Sequence, residues 1–175
     1  MHSIRIAAAY EFAAKKHEGQ FRMDGKPYIT HPTAVAEMIR QQGYNEDYQI
    51  TALFHDLLED TDATEEEIAV LGGEDVLTAV KLLTKYNGYV MSEYVAGIRQ
   101  NPMAFAVKSA DRLHNLRSAF VADEEFRRKY VLESIEWYLD FSSEIPKAVK
   151  ALSDSLKDPM RDIRLDNALN KSYGE

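Results

Sequence analysis

The chain has no cysteine, which excludes disulfides and thiolate metal sites together. Any metal it holds must therefore sit on histidine and carboxylate side chains. The same lack suits a reducing compartment. No apolar run reaches the length needed to span a bilayer. The start, Met1-His2-Ser3-Ile4-Arg5, passes straight into a helical pattern without the layout of a signal peptide. A cytoplasmic location is the expectation. Basic residues are in deficit: 21 Lys and Arg face 29 Asp and Glu, for a net charge of −8 and a pI near 5.2. A general nucleic-acid binder needs a basic surface, so that class is disfavoured. A small phosphorylated ligand is not, because a metal and a few local lysines make a positive pocket on an acidic protein. The expected partner is thus a small molecule, with neither nucleic acid nor membrane. Oligomeric state is not legible.

Strand signals are also missing, as are internal repeats, low-complexity segments and linkers. The 175 residues, 45% hydrophobic, suit one domain over 1–175 with one core. Apolar spacing predicts helices over about 4–17, from His31-Pro32 to Gly43, 46–60, 74–84, 92–100, 103–121 and 123–141, and one opening at Pro146. Pro32 is expected at the first helical position. Thr64 with Glu67 forms a capping box for a short helix that Gly72-Gly73 ends. Residues 18–30 and 85–91 read as loops, and the charged tail from 157 as helical or frayed. The fold class is all-α, a compact single-domain helical bundle.

One run stands out: Ala52-Leu53-Phe54-His55-Asp56-Leu57-Leu58-Glu59-Asp60-Thr61. On a helix, residues three and four apart share a face. Glu59 then lies one turn beyond His55, and Asp60 one turn beyond Asp56. Burying that many carboxylates requires neutralisation, which a divalent metal supplies. An adjacent His-Asp pair alone also arises by chance on surfaces.

Two further segments bear on it. His31 stands where the 18–30 loop becomes a helix, and alone reads equally as a capping or loop histidine. Asp111 opens Asp111-Arg112-Leu113-His114-Asn115-Leu116-Arg117-Ser118. Asp111, Asn115 and Ser118 share one helical line there, with Arg112 turned away from it. Taken alone, that segment also reads as a solvated helix face. Together His31, His55, Asp56 and Asp111 make two imidazoles and two carboxylates. That set suits a six-coordinate first-row ion such as Mn²⁺ better than a closed structural zinc site. Ligand softness does not select Mn²⁺ over Fe²⁺, Co²⁺ or Zn²⁺.

Three motifs in order carry a resemblance. They are Gly19-Gln20-Phe21-Arg22 with Gly25-Lys26-Pro27-Tyr28-Ile29-Thr30-His31-Pro32, His55-Asp56-Leu57-Leu58-Glu59-Asp60-Thr61, and Lys108-Ser109-Ala110-Asp111-Arg112-Leu113-His114-Asn115-Leu116-Arg117. From about residue 4 to 150 the chain resembles the RelA/SpoT-family hydrolase domain, within the HD phosphohydrolase superfamily. Its length is similar to that of stand-alone small alarmone hydrolases, including the metazoan SpoT-like enzymes; it is too short for the synthetase and regulatory domains of long members. The resemblance implies Mn²⁺ on His31, His55, Asp56 and Asp111. It implies hydrolysis of the 3′-pyrophosphate of (p)ppGpp to GDP or GTP and pyrophosphate. Glu59 and Asp60 would activate the water, Arg22 would pack on the purine and Asn115 would contact the nucleoside. Lys108 and Lys85 are candidates for phosphate contacts as point charges, and Ser118 joins the substrate-binding candidates on the Asp111 line.

Departures keep other readings open. Met23-Asp24 replaces the Lys and small hydroxyl residue usual after the arginine, removing one positive charge and adding a negative one. Leu57-Leu58 is a mild change beside the acidic pair, and the 85–91 loop carries Tyr86 and Tyr89 as pocket or surface residues. The alternative is an HD phosphohydrolase acting on another nucleotide such as (p)ppApp or NADPH. A non-catalytic nucleotide sensor would be expected to lack a ligand or the Glu-Asp pair, and both are present.

Overall fold

A computed structural model describes residues 3–173. Met1 and His2, part of the expected leaderless start, and the last two residues of the charged tail lie outside them. Among the described residues the chain is all-α; the pairing of Phe21 with Pro27 is an isolated bridge. No described helix is long and apolar enough to cross a membrane. The chain divides into two compact units, Met1–Asp111 and Arg112–Glu175.

The first unit holds α1 (Ile4–Lys16), α2 (Thr30–Gln41), α3 (Glu46–Phe54), α4 (Leu57–Asp60), α5 (Glu65–Gly72), α6 (Glu74–Leu83), α7 (Met91–Gln100) and the start of α8 (Pro102–Ser118). Its centre is α3. Five consecutive residues, Ile50 to Phe54, are buried there, so this helix is covered all round, by α1, α2, α5 and α6. Asn45 caps it, its side chain accepting from the Asp47 and Tyr48 amides. The Thr64–Glu67 capping box forms as expected. Pro32 stands third in α2 rather than first, and Pro146 third in the helix Glu144–Asp154. The first-turn N–H groups have no intrahelical acceptor, so any of those places tolerates proline. At the end of α5, a Cβ on Gly72 would lie 2.6 Å from Val76 Cγ1, and Val76 is fully buried. Gly72→Ala should destabilise the protein by about 1–3 kcal/mol through overpacking, read as a lower denaturant midpoint at unchanged slope.

The expected single helix over 46–60 is broken. His55 and Asp56 form a turn between α3 and α4. His55 Nδ1 lies 2.7 Å from the Ala52 carbonyl, the acceptor that a continuing helix would offer to the Asp56 amide. The side chain thus competes with the backbone and ends α3 at the pair itself.

The second unit holds the end of α8, a 3₁₀ turn (Ala119–Val121), α9 (Glu124–Trp137), α10 (Glu144–Asp154) and α11 (Ile163–Tyr173). Asp123 caps α9 as expected. That helix stops at Trp137, short of 141, where buried Tyr138 and Phe141 pack edge to face. α8 stops at Ser118, whose hydroxyl donates back to the His114 and Asn115 carbonyls. Arg112 is buried with its guanidinium 4.3 Å and 4.0 Å from the Tyr130 and Tyr138 ring centres. It also donates to Glu133 and Ser134. Its rotation off the Asp111 line therefore serves packing.

Candidate functional site

In the first unit, the start of α2, the break between α3 and α4 and the middle of α8 bring the predicted ligands together. His31 is the second residue of α2, the α3–α4 break presents His55 and Asp56, and α8 supplies Asp111. One ligand atom from each of His31, His55 and Asp111 lies within 4.8 Å of the other two. His31 Nε2 is 3.1 Å from Asp111 Oδ1 and 3.7 Å from Asp56 Oδ2. His55 Nε2 is 3.2 Å from Asp56 Oδ2 and 3.6 Å from Asp111 Oδ1. Neighbouring ligands at right angles around a first-row ion, with bonds of about 2.1 Å, stand roughly 3 Å apart. The histidine–carboxylate distances, 3.1 to 3.7 Å, are near that spacing, while Asp56 stands outside the compact group of three that His31, His55 and Asp111 form.

The donor set fits a cation by its hydrogen bonding as well. A carbonyl only accepts, so the His55 Nδ1 that meets Ala52 O carries the proton. Its Nε2 is buried, makes no hydrogen bond and faces two carboxylates. Only a positive charge there, a proton or a metal ion, satisfies all three groups. With a proton in that role, burial lowers the His55 pKa, but Asp56 and Asp111 outweigh it and push it up to about 10. For His31 burial wins over Asp111 and the pKa falls, leaving the neutral imidazole that ligates metals. Asp56 and Asp111 are held below the usual carboxylate range: burial raises each, but His55 and His31 together outweigh it at Asp56, and Lys108 with the two histidines outweighs it at Asp111. Lys108 Nζ donates to Asp111 Oδ2 at 2.8 Å, which leaves Oδ1 turned to the histidines.

Glu59 and Asp60 form the second tier. The α4 backbone keeps the expected relation, with the Asp60 amide on the Asp56 carbonyl at 2.9 Å. Both side chains are exposed rather than buried. Both pKa values are nevertheless raised. Partial desolvation is the main cause, with the Asp56 charge adding to it at each and the Lys85 amide opposing it at Glu59. That amide donates to Glu59 Oε2 at 2.9 Å and fixes the carboxylate.

Tyr28 is the residue that sequence reasoning missed. Its hydroxyl lies 2.7 Å from Asp56 Oδ2 and 3.3 Å from Asp60 Oδ2. Burial, then the Asp56 charge, pushes the phenol up, so it stays a donor. Its place three residues before His31 was a visible signal; its target was not.

The other candidates divide. Arg22 sits in the loop pinned by the Phe21–Pro27 bridge, its guanidinium 5.9 Å from the Tyr28 ring centre. Met23 is exposed and Asp24 pairs with Lys26 at 2.9 Å, so part of the added negative charge is neutralised within the loop. The Lys85 ammonium lies over the Tyr89 and Tyr94 rings at 5.3 Å and 5.4 Å, and Tyr86 and Tyr89 are exposed. Asn115 and Ser118 belong to the second unit, and the Ser118 proton is given to its own helix.

The HD domain family model matches residues 9–143. The chain is 36% identical over 165 residues to the guanosine-3′,5′-bis(diphosphate) 3′-pyrophosphohydrolase of Aquifex aeolicus, covering 90% of this chain and 23% of that protein. It is 32% identical over 145 residues to the bifunctional (p)ppGpp synthase/hydrolase SpoT of Escherichia coli K12, covering 77% and 21%. It thus spans about a quarter of the length of these curated relatives. A solved structure described as a metazoan ortholog of SpoT that hydrolyses ppGpp superposes with a TM-score of 0.68 at 24% identity, covering 99% of this chain and 96% of that one. At that identity the likeness concerns the fold.

Proposed function

Because this chain belongs to the HD domain family, we propose that it is a Mn²⁺-dependent phosphohydrolase that cleaves the 3′-pyrophosphate of (p)ppGpp. The products are GDP or GTP and pyrophosphate. The observation that carries this reading is the buried, unpartnered His55 Nε2 facing Asp56 and Asp111, with His31 alongside and the raised Glu59–Asp60 pair next to it. The relatives named as a guanosine-3′,5′-bis(diphosphate) 3′-pyrophosphohydrolase and a (p)ppGpp synthase/hydrolase direct it to guanosine polyphosphates. The family match crosses both compact units, and we take 1–175 as one functional domain, working in the cytoplasm on a small nucleotide.

His31, His55, Asp56 and Asp111 would hold the ion. A divalent ion there supplies an acidified water and offsets phosphoryl charge. Glu59 and Asp60, with pKa values raised toward neutrality, take the proton from the attacking water. The Asp60 charge itself adds to the rise at Glu59, so their titration belongs to the pair. Arg22, already over the Tyr28 ring, offers a flat guanidinium to the purine. Asn115 contacts the nucleoside, and Lys108 meets phosphate while holding Asp111. Ser118 meets substrate as an acceptor, since its proton is committed to α8.

Met23-Asp24 supports a second reading, the same chemistry on another nucleotide such as (p)ppApp or NADPH. The exposed Met23 brings no positive charge to the loop. The test is pyrophosphate release from ppGpp by purified protein, with and without Mn²⁺. Mn²⁺-dependent release is expected. No release from protein with Mn²⁺ bound would discard guanosine polyphosphate and bring the other nucleotides forward.

A further inference from the structure

Tyr28 enters the site from the loop between α1 and α2. Its ring lies against His17, with centroids 4.7 Å apart, and edge-on to His31 at 6.0 Å. Its amide donates to the Gln20 carbonyl at 2.9 Å. The Gln20 side chain in turn donates to the Asp60 carbonyl at 2.8 Å and meets His17 Nδ1 at 2.7 Å. One small network therefore fixes both the phenol and the backbone of Asp60.

The hydroxyl has one proton and two anionic neighbours. Its 2.7 Å contact with Asp56 Oδ2 is a full charge-assisted hydrogen bond, and the 3.3 Å contact with Asp60 Oδ2 is a long one. The O–H dipole sits between two like charges that would otherwise face each other. Asp56 Oδ2 is also the oxygen turned to both histidine Nε2 atoms. We infer that Tyr28 is a positioning residue whose hydroxyl clamps Asp60 to the ligand Asp56, holding a water-activating carboxylate in register with the metal site. The inference rests on the reading of Asp60 as a water-activating group.

The test uses wild type, Tyr28→Phe, Asp60→Asn and the double variant. Phenylalanine keeps the ring packing on His17, His31 and Arg22. Removing an orienting partner of a ligand typically costs about 10- to 100-fold. Tyr28→Phe should lower kcat on ppGpp by about that factor, with KM changed less than about threefold. At saturating Mn²⁺ the same change in the Asp60→Asn background should cost no more than about twofold, because the side chain it positions can no longer take a proton. Mn²⁺ affinity, measured by calorimetry, should weaken by about tenfold in Tyr28→Phe. Losses that multiply in the double variant overturn the clamp, as does an unchanged Mn²⁺ affinity. If wild type releases no pyrophosphate from ppGpp, the substrate reading falls, and the Mn²⁺ titration still decides Tyr28.

Discussion

Asp56→Ala is expected to lose bound metal and hydrolytic activity together. Asp56 Oδ2 is the hub of the site, 3.2 Å from His55 Nε2, 3.7 Å from His31 Nε2 and 2.7 Å from the Tyr28 hydroxyl. Alanine removes the anion that these three groups share. A metal contributes several kcal/mol to this kind of chemistry, and each 1.36 kcal/mol is a factor of ten, so the rate should fall by about three orders of magnitude or more. Metal content by mass spectrometry and turnover are the paired readouts, with circular dichroism to show that the helices persist. Stoichiometric metal with full activity in this variant would refute the ligand set.

Glu59→Gln should separate chemistry from metal binding. Glu59 lies in α4 beyond the ligands, and its Oε2 accepts the Lys85 amide. Glutamine keeps the shape and one acceptor oxygen but cannot take a proton from water. General base contributions run to about 10²- to 10⁴-fold, so kcat should drop within that range while the metal stays. The raised pKa also sets a pH signature. The base must be ionised to act, so the acid limb of the wild-type kcat/KM profile should lie above the ordinary carboxylate range and change in the variant. Loss of metal along with activity would make Glu59 a ligand instead.

Much of this was local enough to read. The Thr64–Glu67 box and the Asp123 cap are bonds between residues three apart, so sequence spacing specifies them directly. Apolar periodicity exposed the helical class because a helix must bury one stripe. The break at His55-Asp56 escaped because periodicity does not report a side chain taking a backbone carbonyl. Glu59 and Asp60 lie exposed in the short helix beyond that break, which helical spacing does not report either. Arg112 shows the reverse: its place off the Asp111 line was legible, while its packing between Tyr130 and Tyr138 was not.

By itself the sequence determined the kinds of group available: no thiol, imidazoles and carboxylates in three ordered segments, and an acidic chain that folds as helices. Only the tertiary structure decided which atoms meet. It turned His55 Nε2 inward by tying Nδ1 to Ala52, and presented Asp111 Oδ1 by seating Lys108 on Oδ2. It also set the Tyr28 hydroxyl between Asp56 and Asp60. The first two contacts span a single helical turn. The meetings of Asp111 with His31 and His55 and of Tyr28 with Asp56 and Asp60 instead join segments far apart in the chain, where helical period fixes nothing and helix packing sets which atoms face one another.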